Sequence, residues 1–421
     1  MENREKIKYI LKETNGWWKR PDYTNPGYFP REIYPEIQKY YKLRQIIALV
    51  GLRRTGKTTL MLKMVEESLK LLPPASILYF SFDDFASLEM EDLLAAYKDL
   101  FPEVNIEEGK FLFCFDEIQK LADWQDKVKR LYDLYPNIKI IVSGSESLFI
   151  RKEVKESLGG RIFEFRISPL TFREYLIFKH REKSIEHPEL YKEEIVGAYK
   201  KYMRSNGFPE LAHIEDETVI HKYLKETVMD KILFKDIPQL FKVKNIDVLA
   251  EILDLIVYGP GQIIDISRLS KEIGLTRQAV SSYIDYLEKA FLVKKLYNFS
   301  KNLRRQKRAL KKYYPAIVFP GVIDDKFALC FENSIIWQVN AQFFYRDAYH
   351  NEVDAILIGK NKRLTPVEIK TGSVDLRGLA YFMKKFRIKN GIVITMDKEM
   401  TRDNIRVLPF YKILLAKDFV A

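Results

Sequence analysis

Apolar runs of strand length alternate with helical segments through the first part of the chain. The five runs lie at residues 46–50, 77–84, 111–116, 138–144 and 162–168. Strands interleaved with helices in this way favour a parallel α/β sheet. In such a sheet, we expect ligand-binding residues at the carboxyl ends of the strands.

The rest of the chain predicts a different order of elements. Residues 169–240 have a helical pattern in which aromatic and basic residues are mixed. Residues 245–300 predict three helices followed by strand-like positions, which is a winged helix-turn-helix pattern. After residue 313 the pattern predicts a helix, a β-hairpin, a second helix and a strand. A winged helix can contact DNA or serve as a protein-interaction or lid module, and the pattern allows both roles.

The charge of the chain points to an anionic partner. The 421 residues, which predict two to four domains, include 70 Lys and Arg against 58 Asp and Glu, a formal net charge of +12. Nine basic residues and no acidic residue fall between Lys294 and Lys312. Residues 301–312 are therefore predicted to contact DNA phosphates, and the alternative is a solvated loop.

Cysteine usage and hydropathy give an expectation about location. Cys114 and Cys330 lie far apart in apolar surroundings, so neither a disulfide framework nor a zinc cluster is predicted. No apolar run reaches membrane-spanning length, and the first 20 residues lack the apolar centre of a signal peptide. We expect a cytoplasmic protein with no membrane partner.

A phosphate-binding loop follows the first apolar run. In "IIALVGLRRTGKTTL", Gly51 and four variable residues precede Gly56-Lys57-Thr58 and a helical pattern, which is the complete Walker A arrangement. Backbone N–H groups of such a loop surround the β-phosphate, while the lysine reaches the β- and γ-oxygens and the threonine coordinates Mg²⁺. ATP and Mg²⁺ are the predicted cofactors. The residues of this segment predicted to bind them are Gly51, Arg53, Arg54, Thr55, Gly56, Lys57, Thr58 and Thr59.

Two carboxylates end the third apolar run, "FLFCFDEIQ", about 55 residues after the loop. This is the Walker B form. Asp116 is predicted to hold magnesium through water, and Glu117 to orient or deprotonate the attacking water.

A third group of charges lies in the hairpin "EVDAILIGKNKRLTPVEIKTG". Asp354 stands near the start of its first strand, and Glu368 and Lys370 are two residues apart in the second, so those two share a face. Two carboxylates and a lysine can form a metal site that cleaves phosphodiesters. The alternative is a solvated sheet face with a surface ion pair.

The chain resembles archaeal and bacterial AAA-type ATPases in which a winged helix and a domain related to PD-(D/E)xK nucleases follow the P-loop domain. The segments that carry the resemblance are "NGWWKR", "GLRRTGKTTL", "FDEIQ", "SGS", "GGRIFEFRISPLTFREYL", "SNGFPELA", "FKDI" and the hairpin. It implies a five-stranded parallel P-loop sheet with a helical lid, a winged-helix domain, and a C-terminal α/β domain of restriction-endonuclease type. The domains it implies are an N-terminal segment at 1–44, the ATPase core at 45–168, the lid at 169–240, the winged helix with its basic wing at 241–312, and the nuclease-like domain at 313–421.

The resemblance also implies roles for single residues. Ser143 matches a polar sensor that touches the γ-phosphate or the water, although a serine there can also cap the next turn. Arg161 matches an arginine finger that reaches the nucleotide of a neighbouring subunit, which implies a homo-oligomer; the alternative is a surface arginine. Pro209 matches a turn that lies against the nucleotide. Glu332, Asp354 and Glu368 match metal ligands, and Lys370 matches the catalytic lysine of the nuclease-like domain.

The expected function is Mg²⁺-dependent ATP hydrolysis coupled to DNA, with a nuclease-like domain that acts on the same DNA. The alternative is a nucleotide-operated regulatory switch or scaffold whose C-terminal domain binds without cutting.

Overall fold

The computed structural model describes residues 2–25, 27–83, 88–144, 157–359, 362–373 and 375–416. The chain divides into two compact units, Met1–Pro169 and Leu170–Ala421.

The first unit contains a five-stranded sheet in the order β2-β3-β4-β1-β5, and every neighbouring pair of strands is parallel. This confirms the parallel α/β sheet predicted from the sequence. Its strands are β1 Ile46–Val50, β2 Ile77–Ser81, β3 Phe111–Asp116, β4 Ile138–Gly144 and β5 Ile162–Arg166. Its α-helices are α1 Glu2–Thr14, α2 Tyr34–Tyr41, α3 Lys57–Ser68, α4 Met90–Leu100 and α5 Trp124–Leu134, with 3-10 turns at Gly16–Trp18, Pro74–Ser76 and Ile118–Lys120.

The side chains of β1 alternate between two apolar layers, one on each face of the sheet. Ile46, Ala48 and Val50 belong to one layer. Ile47 and Leu49 belong to the other. Because both faces are covered, every position of the strand is apolar, which is why the sequence shows continuous apolar runs here.

Residues before β1 cover strand β2, which lies at one edge of the sheet. The Asn15 amide donates to the carbonyl of Tyr79 at 2.9 Å and accepts from its N–H at 2.7 Å. The indole groups of Trp17 and Trp18 both donate to the carbonyl of Ile77. These bonds satisfy backbone groups that an edge strand would otherwise expose.

The second unit contains a nine-stranded sheet in the order β13-β14-β12-β11-β10-β9-β7-β8-β6. Its strands are β6 Gln262–Ile263, β7 Val293–Asn298, β8 Lys311–Pro315, β9 Phe343–Arg346, β10 Glu352–Ile358, β11 Leu364–Lys370, β12 Gly391–Thr395, β13 Met400–Arg402 and β14 Ile405–Pro409.

Helices surround this second sheet. The α-helices are α6 Phe172–Phe178, α7 Glu182–Glu186, α8 Lys192–Ser205, α9 Glu217–Lys222, α10 Ile237–Leu240, α11 Ile246–Tyr258, α12 Ile266–Glu272, α13 Arg277–Lys289, α14 Leu303–Arg308, α15 Pro320–Asp325, α16 Phe327–Gln338, α17 Arg377–Phe386 and α18 Phe410–Leu414. A 3-10 turn lies at Pro209–Leu211, and π-helical segments lie at Tyr223–Met229 and Ile232–Asp236.

Helices α11, α12 and α13 precede the antiparallel pair β7 and β8, and β6 joins that pair on the other edge of β8. Three helices followed by such a wing are the elements that the winged-helix prediction requires, and the assignment stays a prediction. Likewise α16, the β10–β11 hairpin, α17 and β12 come in the predicted order, although the strand β9, which the sequence pattern did not predict, lies between α16 and the hairpin.

The sheet continues across the boundary predicted between residues 312 and 313. β8 spans that boundary, and β7 pairs in parallel with β9 through Tyr297 and Asn298. The sequence pattern marks single strands but not which strand edges pair, so it could not reveal this continuity. As a consequence, side chains of β8 contact the hairpin that carries Asp354.

Candidate functional site

The predicted phosphate-binding loop connects β1 to α3. A side chain could not be accommodated at Gly51, because a Cβ atom there would lie 2.2 Å from the carbonyl oxygen of Ile167. Gly56 precedes the first residue of α3 and has φ of 90°, a left-handed conformation that favours glycine. The buried Lys57 ammonium donates to the carbonyls of Gly51 and Leu52 at 3.2 and 2.8 Å. The lysine therefore lies folded over its own loop.

Asp116 accepts hydrogen bonds from residues of several elements at the carboxyl edge of the first sheet. Its Oδ2 accepts hydrogen bonds from Thr58 Oγ1 at 2.6 Å and from the Tyr79 hydroxyl at 3.0 Å. Its Oδ1 accepts from Ser143 Oγ. The structure thus brings together the loop, β2, β3 and β4 around one buried carboxylate.

Sequence reasoning missed Tyr79 in this site. It lies in β2 opposite Cys114, two positions before the pair Ser81 and Asp116, so the period of two places it on the face of Asp116. Burial, and then the negative charge of Asp116, raise the pKa of the Tyr79 hydroxyl. The hydroxyl therefore stays protonated and able to donate.

Glu117 follows Asp116 in a left-handed backbone conformation, with φ of 49°. Non-glycine residues rarely adopt this conformation, and where they do the surrounding structure must hold it. Here the Glu117 N–H donates to Asp116 Oδ1 at 3.1 Å and to Ser143 Oγ at 3.4 Å. The Glu117 carboxylate accepts from Gln119, whose own amide oxygen is buried without a hydrogen-bond partner among the described residues.

These residues fit Mg²⁺ and the phosphates of ATP. A hydroxyl and a carboxylate oxygen lie 2.6 Å apart at Thr58 and Asp116, and hard oxygen donors of this kind suit magnesium. The orphaned oxygen of Gln119 marks a polar position open to a further partner. When bound, Mg²⁺ would neutralise charge on the β- and γ-phosphate oxygens.

Ser143 was predicted to be either a sensor or a cap of the next turn. Its hydroxyl donates to Asp116, so it helps to fix the orientation of the Walker B carboxylate. Residues 145–156, which follow Ser143 and Gly144, lie outside the described residues, so the capping alternative is not tested. Its sensor role stays a prediction.

Arg161 is paired within its own unit. Its Nε and a terminal nitrogen donate to the two carboxylate oxygens of Asp133 at 3.1 and 3.4 Å, and the guanidinium lies 6.0 Å from the centre of the Tyr132 ring. An arginine finger at this position would have to leave Asp133. Its action on a neighbouring subunit stays a prediction, as does the role of Pro209, which begins a 3-10 turn of the second unit.

Residues before β1 also contact the phosphate-binding loop, which the sequence did not indicate. Arg31 donates to the carbonyls of Thr55 and Ser168 at 2.8 and 2.6 Å. The Asn25 amide donates to the carbonyl of Thr59 at 2.8 Å. Their acceptors are backbone carbonyls, so no pairing of side-chain types in the sequence could have revealed them.

In the second unit, the three charged residues of the hairpin lie together as predicted. Lys370 Nζ lies 3.3 Å from Asp354 Oδ2 and 2.9 Å from Glu368 Oε1. Asp354 Oδ2 also accepts from the N–H of Ile369 at 2.8 Å. The alternative of a solvated surface pair does not apply to these carboxylates, because Asp354 and Glu368 are both buried.

Lys312, which lies on β8, belongs to the same group of charged side chains. Its Nζ lies 2.6 Å from Glu352 Oε1, 3.4 Å from Glu332 Oε1 and 3.7 Å from Asp354 Oδ1. Only 6% of its side chain is exposed. Assigning Lys312 to the DNA-contacting segment 301–312 was therefore wrong, because a buried ammonium cannot reach a phosphate backbone.

Burial and crowding shift the acidities of this group. Burial, and then the charge of Asp354, raise the pKa of Glu332 and raise that of Glu368 to about 8. Burial lowers the pKa of Lys312, but the charges of Glu332, Asp354 and Glu352 outweigh it, so the pKa is raised overall. Each charge in the group thus depends on its neighbours of opposite sign.

The arrangement does not fit a divalent metal ion. Within the described residues, no group of three or more His, Cys, Asp or Glu side chains is arranged to hold one as the side chains lie in this structure. The oxygens of Glu332 and Asp354 that would face a metal contact the ammonium of Lys312, and Glu368 contacts that of Lys370. Two lysines lie where the prediction placed a metal.

The remainder of the predicted basic wing lies at the surface. Lys301, Arg304, Lys307 and Arg308 are exposed on or beside α14, and Lys311 is half-buried. The Arg305 side chain lies outside the described residues.

In the parts of the chain that the structure describes, no helix is both long and apolar enough to span a membrane.

Comparison with protein families matches three segments of the chain. Residues 43–176 match the AAA domain, residues 196–316 match a domain of unknown function, DUF8612, and residues 333–413 match another, DUF4143. Two uncharacterized proteins of Methanocaldococcus jannaschii are similar along most of their length. MJ1544 is 29% identical over 411 residues, with 87% of this chain and 88% of the relative covered. MJ1637 is 27% identical over 456 residues, with 97% and 92% covered.

Two solved structures are similar to this chain at a low level. The Aeropyrum pernix ORC1 protein in complex with DNA has 15% identity and a TM-score of 0.31, covering 73% of this chain and 94% of that one. Cdc6p from Pyrobaculum aerophilum has 13% identity and a TM-score of 0.30, covering 73% and 96%. At these TM-scores the likeness supports no further argument. The family match and the P-loop sheet confirm the coarser prediction: residues 43–176 form an AAA-type P-loop ATPase domain.

Proposed function

We propose that the protein is a Mg²⁺-dependent ATPase that acts on DNA. The observation that carries the ATPase part is the bond between Thr58 Oγ1 and Asp116 Oδ2, because it joins the two motifs that must hold one magnesium ion. Ser143 and Tyr79 support the same carboxylate from the neighbouring strands.

The loop residues have separate roles in this proposal. Backbone N–H groups of the loop and the start of α3 bind the phosphates, and Lys57 exchanges its two carbonyl partners for phosphate oxygens. Thr58 and Asp116 would hold the magnesium ion. Glu117 orients the attacking water, and the strained backbone at this residue fixes where its carboxylate can lie.

Contact with DNA is assigned to the surface of α14. Arg304, Lys307 and Arg308 are exposed there, and no carboxylate of the described residues pairs with them. Neighbouring cations without acidic partners attract phosphates and give affinity without sequence information. The exposed polar start of α13, where Thr276 caps the helix, is the proposed base-facing surface of the winged helix.

For the C-terminal core, the proposal is a nuclease-like fold that binds DNA without cutting it. The helix, hairpin, helix and strand follow the order of a PD-(D/E)xK core, and Asp354, Glu368 and Lys370 lie together as cleavage would require. Cleavage is the second candidate function for that reason. Binding is favoured because Lys312 and Lys370 already pair with the carboxylates that a metal would need.

Two assays on the purified protein test this proposal. ATP turnover with Mg²⁺ is measured with and without DNA, and we expect DNA to raise it several-fold. ATP turnover that does not change when DNA is added would instead support a nucleotide-operated switch or scaffold. In parallel, single-stranded, duplex and branched DNA are incubated with the protein, ATP and Mg²⁺ or Mn²⁺. We expect no cleavage, and cleavage that Asp354→Ala abolishes would establish the second candidate function.

A further inference from the structure

We propose that Lys312 is a built-in cation that takes the place of a metal ion in the C-terminal core, and that it closes a latent metal site formed by Glu332, Glu352 and Asp354. The three carboxylates belong to α16 and β10, whereas the lysine comes from β8. The proposal depends on neither ATP turnover nor DNA binding.

The position of the Lys312 ammonium is the first argument. Its Nζ faces one oxygen from each of the three carboxylates, at 2.6 Å from Glu352, 3.4 Å from Glu332 and 3.7 Å from Asp354. Its side chain passes the ring of Phe344 on β9, with Nζ 5.7 Å from the ring centre. A cation held by three carboxylates from two elements occupies the place that a metal ion would need.

The burial of the group is the second argument. Lys312 and Asp354 each have side chains that are only 6% exposed. An isolated charge buried to this extent is strongly unfavourable, so the carboxylates require a cation and the lysine requires anions. Removing either partner leaves the other uncompensated.

The balance of charge is the third argument. Four carboxylates lie in the group when Glu368 is included, and three cations contact them. Lys370 bridges Asp354 and Glu368, and Arg346 contacts the second oxygen of Glu352 at 3.0 Å. With Lys312, three cations of the described residues face four carboxylates, which leaves at most one negative charge, and a divalent ion would overcompensate it. An added Mg²⁺ would also lie against an ammonium, and the two positive charges would repel each other.

Tyr314 fixes one of the carboxylates in place. Its hydroxyl donates to Glu332 Oε1 at 2.6 Å, and it lies two residues from Lys312 on the same strand. The period of two places both side chains on one face of β8. β8 thus supplies a cation and a hydrogen-bond donor to the same carboxylate.

The test measures Mn²⁺ binding to nucleotide-free protein by isothermal titration calorimetry. The parent protein in this test is the Asp116→Asn variant, and all further variants are made in it, so that the Walker site does not contribute. We expect the parent protein to bind no Mn²⁺ at the C-terminal core. Lys312→Met keeps most of the length of the side chain and removes its charge. We expect this variant to bind one Mn²⁺, at least ten-fold more tightly than any binding that the parent shows, and to melt at a higher temperature when Mn²⁺ is present.

Lys295→Met is the matched control. Lys295 lies on the neighbouring strand β7 and its side chain is only 14% exposed. Among the described residues it pairs with a single carboxylate, that of Glu288. Its loss also uncovers a carboxylate but opens no group of three, so we expect no gain in Mn²⁺ affinity.

Two results would overturn the proposal. One is a folded Lys312→Met variant, judged by circular dichroism, that binds Mn²⁺ no better than the parent. The other does not require that variant to fold: Mn²⁺ binding by the parent that Asp354→Asn abolishes would mean that the metal site is already open. Because neither assay contains ATP or DNA, their outcome leaves the proposed ATPase and DNA-binding functions untouched.

Discussion

Asp116 accepts a 2.6 Å hydrogen bond from the hydroxyl of Thr58, a residue 58 positions earlier in the chain. One residue ends a buried strand and the other lies in the first turn of the helix that follows the phosphate-binding loop. The bond holds the Walker A threonine beside the Walker B carboxylate before any nucleotide binds. Such preorganisation reduces the cost of assembling a magnesium site.

Gly51 is predicted to be indispensable for nucleotide binding. In Gly51→Ala the new methyl group would lie 2.2 Å from the carbonyl oxygen of Ile167, so the loop must move. We expect ATP affinity, measured with a fluorescent nucleotide, to fall at least about 30-fold, which corresponds to about 2 kcal/mol.

Gly160→Ala provides the control for this substitution. Gly160 also has a positive φ, of 76°, but nothing lies within 4 Å of the added methyl group. The variant should lose about 1 kcal/mol of stability through backbone strain and keep its ATP affinity. Equal loss of affinity in both variants would mean that general destabilisation, and not the close approach to Ile167, causes the loss.

The surface of α14 is predicted to carry the salt-dependent part of DNA affinity. Replacing Arg304, Lys307 and Arg308 by Ser should weaken duplex binding and lower the slope of log K against log salt by up to about 3, since each phosphate contact contributes about 0.9. Fluorescence anisotropy from 50 to 300 mM salt, about the range over which such slopes are resolved, measures both quantities.

A control variant must remove the same charge elsewhere. Lys42, Lys70 and Lys98 are exposed on the first unit, and their replacement by Ser should leave the slope as in the wild type. If both triple variants flatten the slope equally, the effect comes from net charge and α14 is a solvated segment.

Arg161 tests whether subunits act on each other. If it acts on a neighbouring nucleotide, turnover per subunit should rise with protein concentration, and Arg161→Ala should lower turnover at least ten-fold while ATP affinity changes little. Asp133→Ala removes the partner of Arg161 without removing the arginine, and it should retain turnover. Concentration-independent turnover together with a silent Arg161→Ala would indicate a monomeric ATPase in which this arginine only pairs with Asp133.

Lys139 should make the stability of the first unit depend on pH. Its ammonium donates to the carbonyls of Tyr40, Leu43 and Gln45, and burial lowers its pKa to about 8. The unfolded chain holds this proton up to about pH 10.5, so between these values the unfolded state binds more protons and stability rises with pH. Urea denaturation should show the wild type gaining about 2 kcal/mol relative to Lys139→Met between pH 7 and about pH 9.5. A constant difference would mean that the three carbonyls hold the proton against the effect of burial.

The ATPase site could be predicted from the sequence because its residues are fixed by local geometry. The spacing of Gly51, Gly56 and Lys57 specifies a loop, and the carboxyl ends of parallel strands must share an edge, which brings Asp116 and Ser143 to that loop. The five strands and their parallel orientation follow from the same alternation of elements, whereas their order across the sheet was not predicted. Tyr79 could have been found by counting along β2 from its carboxyl end.

Lys312 and Arg31 could not be assigned from the sequence. Lys312 belongs to a run of basic residues, and nothing in that run distinguishes the one that β8 buries against Glu332 and Glu352 from those that α14 exposes. Strand pairing across the predicted winged-helix boundary decides which of these basic residues is buried. This pairing joins residues that are far apart in the chain. Arg31 binds backbone carbonyls, which every residue possesses, so composition gives no sign of its partner.

The most direct test of the central claim is phosphate release by the purified protein, measured for the wild type, Lys57→Ala and Glu117→Gln with Mg²⁺ or with EDTA. The account predicts turnover by the wild type that EDTA abolishes. Lys57→Ala should lose nucleotide binding or turnover because the phosphates lose their cation, and Glu117→Gln should bind ATP without hydrolysing it because the water is no longer oriented. Unchanged turnover in both variants, or turnover that persists in EDTA, would contradict the assignment of this site as a magnesium-dependent ATPase.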